Sequence, residues 1–476
     1  MQTQIVLAFA MFIIVPLGLR IAARPSTGPT TALLIPLAKA APLIAITAAI
    51  SLSLEQGVTA ALLAIPWFAY TLVLGAIGAG RVLSRRTLQT PGLGVDAALL
   101  FIVVGGAWFL ISRAGWQPLG FSAAIVQLTA VHFHYAGFAL PIVAGVVGDR
   151  LGTGVLLPAM VILGVPVTAV GITVDGTTEW FAATFMAIVG MVVAFRTMQL
   201  ARNIDGAARA LLTISSLSLF VGMWLAIGWA WTQEFGWTYL DLQGMVRTHG
   251  MLNGFGFGLL GLIGINLLPA LPVEDQAEVG MHLGRPSAER LAHLQVKAIG
   301  DLPTNPIGLL KGERPETMEF KVWRTEIEHG DFDRAVHGIR DWAGHKRAGI
   351  VRYPEVPEIR AGETLAMAIP AGPLSVSATA RIVEVIEEPD RFGFTYSTLP
   401  HHPEDGEESF IVTRHADGTA EMAVTAMWRG AAIANHVVPP LTRFLQNRAI
   451  NRYLVGIVEF DVPRPSPHKR FANTVS

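Results

Sequence analysis

The chain has no cysteine among its 476 residues, which excludes disulfides, thiolate-held zinc, cysteine-ligated iron–sulfur clusters and c-type haem attachment. Charge is scarce too: 15% of residues are Asp, Glu, Lys or Arg, against about 25% in an ordinary soluble domain. Neither sign is in excess, with 35 basic and 36 acidic groups, so a basic nucleic-acid binder is excluded. The shortage is local. Residues 1–270 hold 8 acidic and 12 basic groups, leaving 28 and 23 for residues 271–476. The first part avoids water, and the second has the balance of a soluble domain.

A helix crossing about 30 Å of hydrocarbon needs around 20 mostly apolar residues. Nine stretches qualify, at about 3–22, 31–53, 58–80, 94–112, 121–147, 155–174, 180–199, 210–231 and 243–268. The first lacks a basic leader and carries Arg20 and Arg24 after its apolar run, so it reads as a span and not as a cleaved signal. Arginines gather in the odd-numbered connections: Arg20 and Arg24; Arg81, Arg85 and Arg86; Arg150; Arg196, Arg202 and Arg209. The even ones carry Glu55, Asp175, Glu179, Glu234 and Asp241, with Arg113 the one basic exception. Basic loops stay in the cytoplasm. The expectation is an N-terminus outside, nine crossings of the cell membrane, and a cytoplasmic C-terminal part.

Polar residues at membrane depth are costly and mark candidate sites. The fifth span carries His132, His134 and Tyr135, and the ninth carries His249 and Asn253. On a regular helix His132 and His134 point about 200° apart, so they cannot share one metal, whereas His249 and Asn253 lie on one face. His132 and His249 enter from the same side to similar depth and would meet if the two helices touch. Gly250, Gly254 and Gly258 form a stripe suited to close helix packing. These residues are readable as neutral helix–helix hydrogen-bond partners, as a haem, metal or quinone site, or as a polar pathway. Lys39 either snorkels towards the cytoplasmic side or pairs with Asp96.

The remainder divides into a Pro-broken connector at 271–317, a domain at 318–460 and a Pro-rich, basic tail at 461–476 expected to be disordered. Polar–apolar alternation predicts a strand at 319–327. A helix is expected at 331–345, with Phe332, Ala335, Val336, Ile339 and Trp342 on one face. Strands follow at 363–369, 374–387, 391–398, 407–415 and 419–429. A final helix at about 437–458 is apolar at Leu441, Phe444, Leu445, Ile450, Tyr453 and Leu454. The expected fold is thus a polytopic α-helical membrane bundle followed by an α+β domain, a curved antiparallel sheet gripping a long C-terminal helix.

Two resemblances follow from these residues. Residues 391–410 match the FxYxTLPxHPxxGEExF signature of the DUF1990 domain at Phe394, Tyr396, Thr398, Leu399, Pro400, His402, Pro403, Gly406, Glu407, Glu408 and Phe410. Residues 318–458 as a whole resemble that domain, though its GxG turn is reduced here to His329-Gly330. The segments HxHYAGF at 132–138 and HGxxNGFGF at 249–257 resemble the YndJ family of bacterial membrane proteins, in which the domain follows a multi-span region. Neither resemblance implies a reaction.

Read physically, the signature ends a strand at Thr398-Leu-Pro400 and crowds His401, His402, Glu404, Asp405, Glu407 and Glu408 into a turn. Gly406 would supply a positive φ there. Tyr396, Thr398, His402, Glu407 and Glu408 are the candidate site. The acids would cap turn amides, bind a cation or act in acid–base chemistry. Three functions from different classes are compatible with the chain. The first is binding or sensing of an apolar, lipid-like molecule in a cavity under the last helix, lined by Phe392, Tyr396, Met422 and Phe444. The second is a membrane cofactor- or metal-dependent oxidoreductase using the intramembrane histidines. The third is a small-solute transporter; a fourth reading makes the spans mainly an anchor. No nucleophile–base pair, metal-ligand set, cofactor or oligomeric state is defined by the spacing. The lipid bilayer is the partner expected in every case.

Overall fold

The structure is a computed structural model. It describes residues 2–24, 31–85, 92–174, 177–236, 241–271, 280–312, 314–327, 331–372, 374–437 and 439–460. Arg86, Asp175, the His329-Gly330 turn and the tail from 461 lie outside the described residues, as do the side chains of Glu234 and Leu441. The chain forms two compact units, Met1–Val82 with Thr87–Gln276, and Leu83–Arg86 with Ala277–Ser476.

The described residues of the first unit are mainly helical: α1 (Gln2–Ala22), α2 (Thr31–Ser53), α3 (Val58–Ser84), α4 (Leu93–Ala114), α5 (Ala123–Arg150), α6 (Leu156–Val174), α7 (Thr177–Arg202), α8 (Gly206–Phe235) and α9 (Leu242–Leu267). Among the described residues eight of these are long and apolar enough to cross a bilayer, and α6 is apolar but shorter. Pro36, Pro42, Pro66 and Pro166 lie inside helices, as membrane spans tolerate. Helices α1, α5 and α9 each widen into a π turn, at Ala10–Ile14, Tyr135–Ala139 and Leu252–Leu259, and the three turns pack on one another.

Three arginines of the odd connections, Arg24, Arg81 and Arg150, engage helix ends or a buried acid. Arg24 donates to the Ile265 and Asn266 carbonyls at 2.9 and 3.2 Å, and Arg150 donates to the Pro269 carbonyl. Arg81 pairs with Asp96 at 2.6 Å with both side chains fully buried, so Asp96 is not the partner of Lys39, which is exposed. Arg113, the exception among the even connections, donates to the Leu54 carbonyl at 2.6 Å and closes the end of α2.

The second unit is an antiparallel sheet with helices on both faces. Its strands are β1 (Met281–Leu283), β2 (Glu319–Ile327), β3 (Val351–Tyr353), β4 (Thr364–Ala371), β5 (Leu374–Glu388), β6 (Arg391–Thr398), β7 (Glu404–Arg414) and β8 (Ala420–Gly430). The spatial order is β2-β8-β7-β6-β5-β4-β3, with β1 also paired to β5. One face carries α10 (Ala288–Ala298), whose Leu291 packs on Ala366 and Ala368. Arg381 holds its end by donating to the Ala298, Ile299 and Asp301 carbonyls at 3.1, 2.8 and 2.9 Å. The other face carries α11 (Phe332–Arg340), α12 (Ala343–Ala348) and, after α13 (Ile433–Val437), the long α14 (Pro439–Val458). The main core lies there, with Phe394, Phe410, Met422 and Val424 under Trp342, Ile450 and Ile457.

Three expectations change. The single helix at 331–345 is two, because Trp342 takes a left-handed φ of 57°. That turn buries its indole against Phe394 and lets Nε1 donate to the Pro357 carbonyl at 2.9 Å. Strand β7 starts at Glu404, not 407, so the acids after Pro403 sit on a strand and not in a turn. Phe444 is 60% exposed: at about 100° per residue it lies roughly 180° around α14 from the buried Tyr453.

Candidate functional site

The intramembrane candidates are engaged within the helical unit. His134 is fully buried; its Nδ1 donates to the Ala130 carbonyl at 2.8 Å, and its Nε2 accepts from Trp67 Nε1 at 3.0 Å. One ring nitrogen is therefore a donor and the other an acceptor, the pattern of a neutral imidazole. His249 repeats it: Nδ1 donates to the Gly222 carbonyl at 2.8 Å, and Asn253 Nδ2 lies 3.1 Å from Nε2. A metal or haem iron would have to displace Trp67 or Asn253. Tyr135, turned inward at the start of its π turn, donates to the Val6 carbonyl at 3.0 Å, and its ring lies beside Gly254 and Gly258. His132 lies at the surface of the unit, its Nδ1 2.8 Å from the Leu128 carbonyl, and within electrostatic range of His249.

The second unit contains a cavity of about 190 Å³ between the sheet and α14. Its apolar wall is Met367, Met427 and Trp428 from the sheet, with Leu445, Ala449 and Ile450 from the helix. Its polar wall comes from β6, β7 and α14: Tyr396, Glu404, Glu408 and Tyr453. Of the expected lining, Tyr396 is present. Phe392 and Met422 are instead part of the packed core, and Phe444 points away.

Alternation along β7 sorts the acids. Glu404, Gly406 and Glu408 face the cavity, continuing the line of buried Phe410 and Val412. Asp405 and Glu407 take the other face, where Asp405 pairs with Arg429 at 3.4 Å. Glu407 accepts the Gly308 and Leu310 amides at 2.8 and 3.1 Å, capping a loop. Gly406 has no positive φ; it is required because an added Cβ would lie 2.0 Å from the Met427 carbonyl oxygen on β8. Thr398 and His402 shape the turn. The Thr398 hydroxyl accepts the Gly406 amide at 2.9 Å, and His402 Nδ1 accepts the Glu404 amide at 3.1 Å. The signature is therefore a structural clasp on one side and two acids aimed at a cavity on the other.

Those acids are perturbed. Glu404 and Glu408 are half-buried and line the cavity. Burial pushes Glu404 up to about 8, helped by the neighbouring charges of Glu408 and Glu319. Glu408 is pushed up to about 7 by burial and pulled back by the hydrogen bond it accepts from the Tyr396 hydroxyl. Burial, then Glu408, raises both the Tyr396 and Tyr453 phenols well above their ordinary value. His345, stacked on Tyr453 at 4.6 Å, is held well below its ordinary value by burial and by Arg352. Among the described residues neither the Tyr453 hydroxyl nor the Glu404 carboxyl has a hydrogen-bond or ion-pair partner. Glu404, Tyr453 and His345 are absent from the sequence-based candidates. Glu404 was detectable as the residue that extends the alternation of 406, 408 and 410 backwards by one step.

Comparison with known proteins locates both parts of the chain. The model of the YndJ-like protein family matches residues 5–257, and that of DUF1990, a domain of unknown function, matches residues 304–455. A Bacillus subtilis protein described as the uncharacterized membrane protein YndJ is 27% identical over 226 residues, covering 44% of this chain and 39% of the relative. A UPF0548 protein of Deinococcus radiodurans is 37% identical over 75 residues, covering 16% of this chain and 38% of the relative. The chain thus spans about two fifths of the length of each curated relative. The crystal structure of a hypothetical protein from Helicobacter pylori covers 34% of this chain and 97% of its own, at 11% identity and a TM-score of 0.26, too low to support an argument. With one model matched over more than half of its residues, the chain belongs to the YndJ-like protein family, and its membrane-spanning helices are followed by a DUF1990 domain.

Proposed function

We propose that this membrane protein is a receptor whose DUF1990 domain, on the cytoplasmic side, takes up a small amphipathic molecule in the cavity under α14. The observation that carries the reading is the cavity itself, apolar on one wall and furnished on the other with a Tyr453 hydroxyl and a Glu404 carboxyl that no group among the described residues satisfies. Buried polar groups are normally paired, so an unpaired set facing a void is what a ligand or bound water would complete. The volume limits the occupant. A cavity of about 150 Å³ accepts benzene, so one of 190 Å³ takes roughly eight to ten non-hydrogen atoms, well short of a membrane lipid. The cytoplasmic placement is supported by the arginines of the odd connections.

The test is ligand-observed NMR on the full chain in nanodiscs, with a mixture of anionic, neutral and cationic aromatic fragments of that size. At least one class is expected to receive saturation from the protein, and Ala449→Phe, which fills the cavity, is expected to abolish the transfer while the melting transition is retained. Transfer to no fragment, or transfer untouched by Ala449→Phe, overturns the proposal.

A further inference from the structure

We infer that the ligand of this cavity is a small organic cation, an ammonium head held between Glu404 and Glu408 on an apolar body lying along Met427 and Ile450. The inference rests on the cavity being a binding site, as proposed above, and adds the chemical class of what it binds.

The charge of the wall is the first ground. Among the described lining residues there is no Lys or Arg, and the acids are Glu404 and Glu408, with Glu407 touching the cavity only beside a carboxylate turned to the loop at 308–310. Glu407 is satisfied by the Gly308 and Leu310 amides. Nearby cations are committed elsewhere: Arg429 to Asp405 at 3.4 Å, Arg443 to Glu319 at 2.9 Å, and Arg352 to the Ile350 and Glu355 carbonyls. Among the described lining residues Glu404 and Glu408 therefore have no counter-charge. Buried acids of that kind are neutralised by a proton or by a cation brought from outside.

Hydrogen-bond capacity is the second ground. A carboxylate offers about four acceptor sites. Glu408 uses one on Tyr396, and Glu404 has none in use among the described residues. The donors of an ammonium group fit this deficit, and the Tyr453 oxygen can accept one more. Gly406 between the two acids lies against β8, where an added Cβ would meet the Met427 oxygen at 2.0 Å. An anionic head would face both acids without a compensating charge.

Binding also moves protons. The groups facing the two acids are Tyr396 on β6, His402 in the turn, Glu319 on β2 and Tyr453 on α14, with His345 and Arg352 behind Tyr453. Near pH 7 burial keeps a proton on Glu404 and on part of the Glu408 population, and an incoming ammonium releases them to solvent.

The experiment is calorimetric titration of the full chain in nanodiscs with 2-phenylethylamine, 2-phenylethanol and phenylacetate, matched in size and differing in charge. The amine is expected to bind at least about tenfold tighter than either analogue. Glu404→Gln and Glu408→Gln are each expected to weaken it about tenfold while leaving the alcohol within about twofold and the melting transition in place. Heats in buffers of different ionisation enthalpy should report proton release. If the alcohol or acid binds as tightly as the amine and Ala449→Phe abolishes that binding, the cavity is a site and the cation assignment is wrong. If no probe binds, or Ala449→Phe leaves amine binding intact, both the assignment and the receptor reading fail.

Discussion

The Tyr396 hydroxyl donates to the carboxyl of Glu408 directly across the β6–β7 register, where the two residues are paired strand partners. The bond favours the charged form of Glu408 against the burial that disfavours it. Tyr396→Phe removes only that donor, so Glu408 should hold its proton to a pH above the present value of about 7. The consequence for stability has a definite sign. In the unfolded chain the carboxyl loses its proton near 4.5, whereas the folded one keeps it until about 7. Between those values the folded state binds more protons, and stability falls as pH rises, by up to about 1.4 kcal/mol per unit for each such group. Glu404 behaves likewise up to about pH 8. The DUF1990 domain should therefore melt higher at pH 5 than at pH 8.5. Tyr396→Phe should lengthen the descending limb and Glu404→Gln should flatten it, as followed by scanning calorimetry of the full chain in detergent. A melting point that rises towards pH 8.5 contradicts the burial of both acids.

Gly406 separates those acids and tests the strand assignment. An added Cβ would lie 2.0 Å from the Met427 oxygen and 2.8 Å from the Trp428 Cα, both on the adjacent strand. No flexible side-chain end is available to yield. Gly406→Ala is expected to cost ~3 kcal/mol or more and to part β7 from β8 locally. Loss of hydrogen-exchange protection at the paired amides of residues 404–408 and 426–430 would register it. A variant as stable as the parent would mean that the backbone approach is looser than described.

How much of this was legible in the sequence depends on the range of the interaction. The membrane helices follow from runs of apolar residues, and β2, β5, β6 and β8 from alternation, because each needs only its own side chains. Trp342 shows where local reading stops. Nothing in a continuous apolar face announces a left-handed residue, whose reward is a hydrogen bond to Pro357 and a ring packed on Phe394. The acids after Pro403 looked like a turn because charge density resembles a solvated loop. They are a strand because loop 308–310 covers one face and α14 the other. The cavity depends on Tyr453 meeting β6 and β7 from a distant helix, a long-range contact without a local signature.

Glu407 offers a contrast with Glu408, its neighbour. It is 2% exposed, and its carboxylate accepts two amides of a loop nearly a hundred residues earlier in the chain. Glu407→Ala is expected to lower stability by ~2–4 kcal/mol, since two charge-assisted bonds are lost and two amides are left unpaired. Glu407→Gln, which keeps one acceptor oxygen, should lose about half of that. Exchange protection at Gly308 and Leu310 should fall in both variants, and affinity for any cavity ligand should stay unchanged. A binding defect with intact loop protection would move Glu407 from the clasp to the site.

The absence of cysteine makes the proposed orientation directly testable. A single introduced thiol is the only one in the chain, so a membrane-impermeant maleimide reports one position at a time. Trp116 is 69% exposed in the connection after α4, which the arginine pattern places outside. The Glu358 side chain is 71% exposed in the second unit, which the proposed orientation puts inside. Trp116→Cys is expected to label in intact cells, and Glu358→Cys only after the membrane is opened. The reverse result would invert every helix and put the cavity on the outer side. Labelling of both in intact cells would mean that the chain crosses an even number of times between them. The short α6 would then be the helix that fails to cross, since its described apolar part runs only from Leu156 to Gly171 while its eight companions are longer.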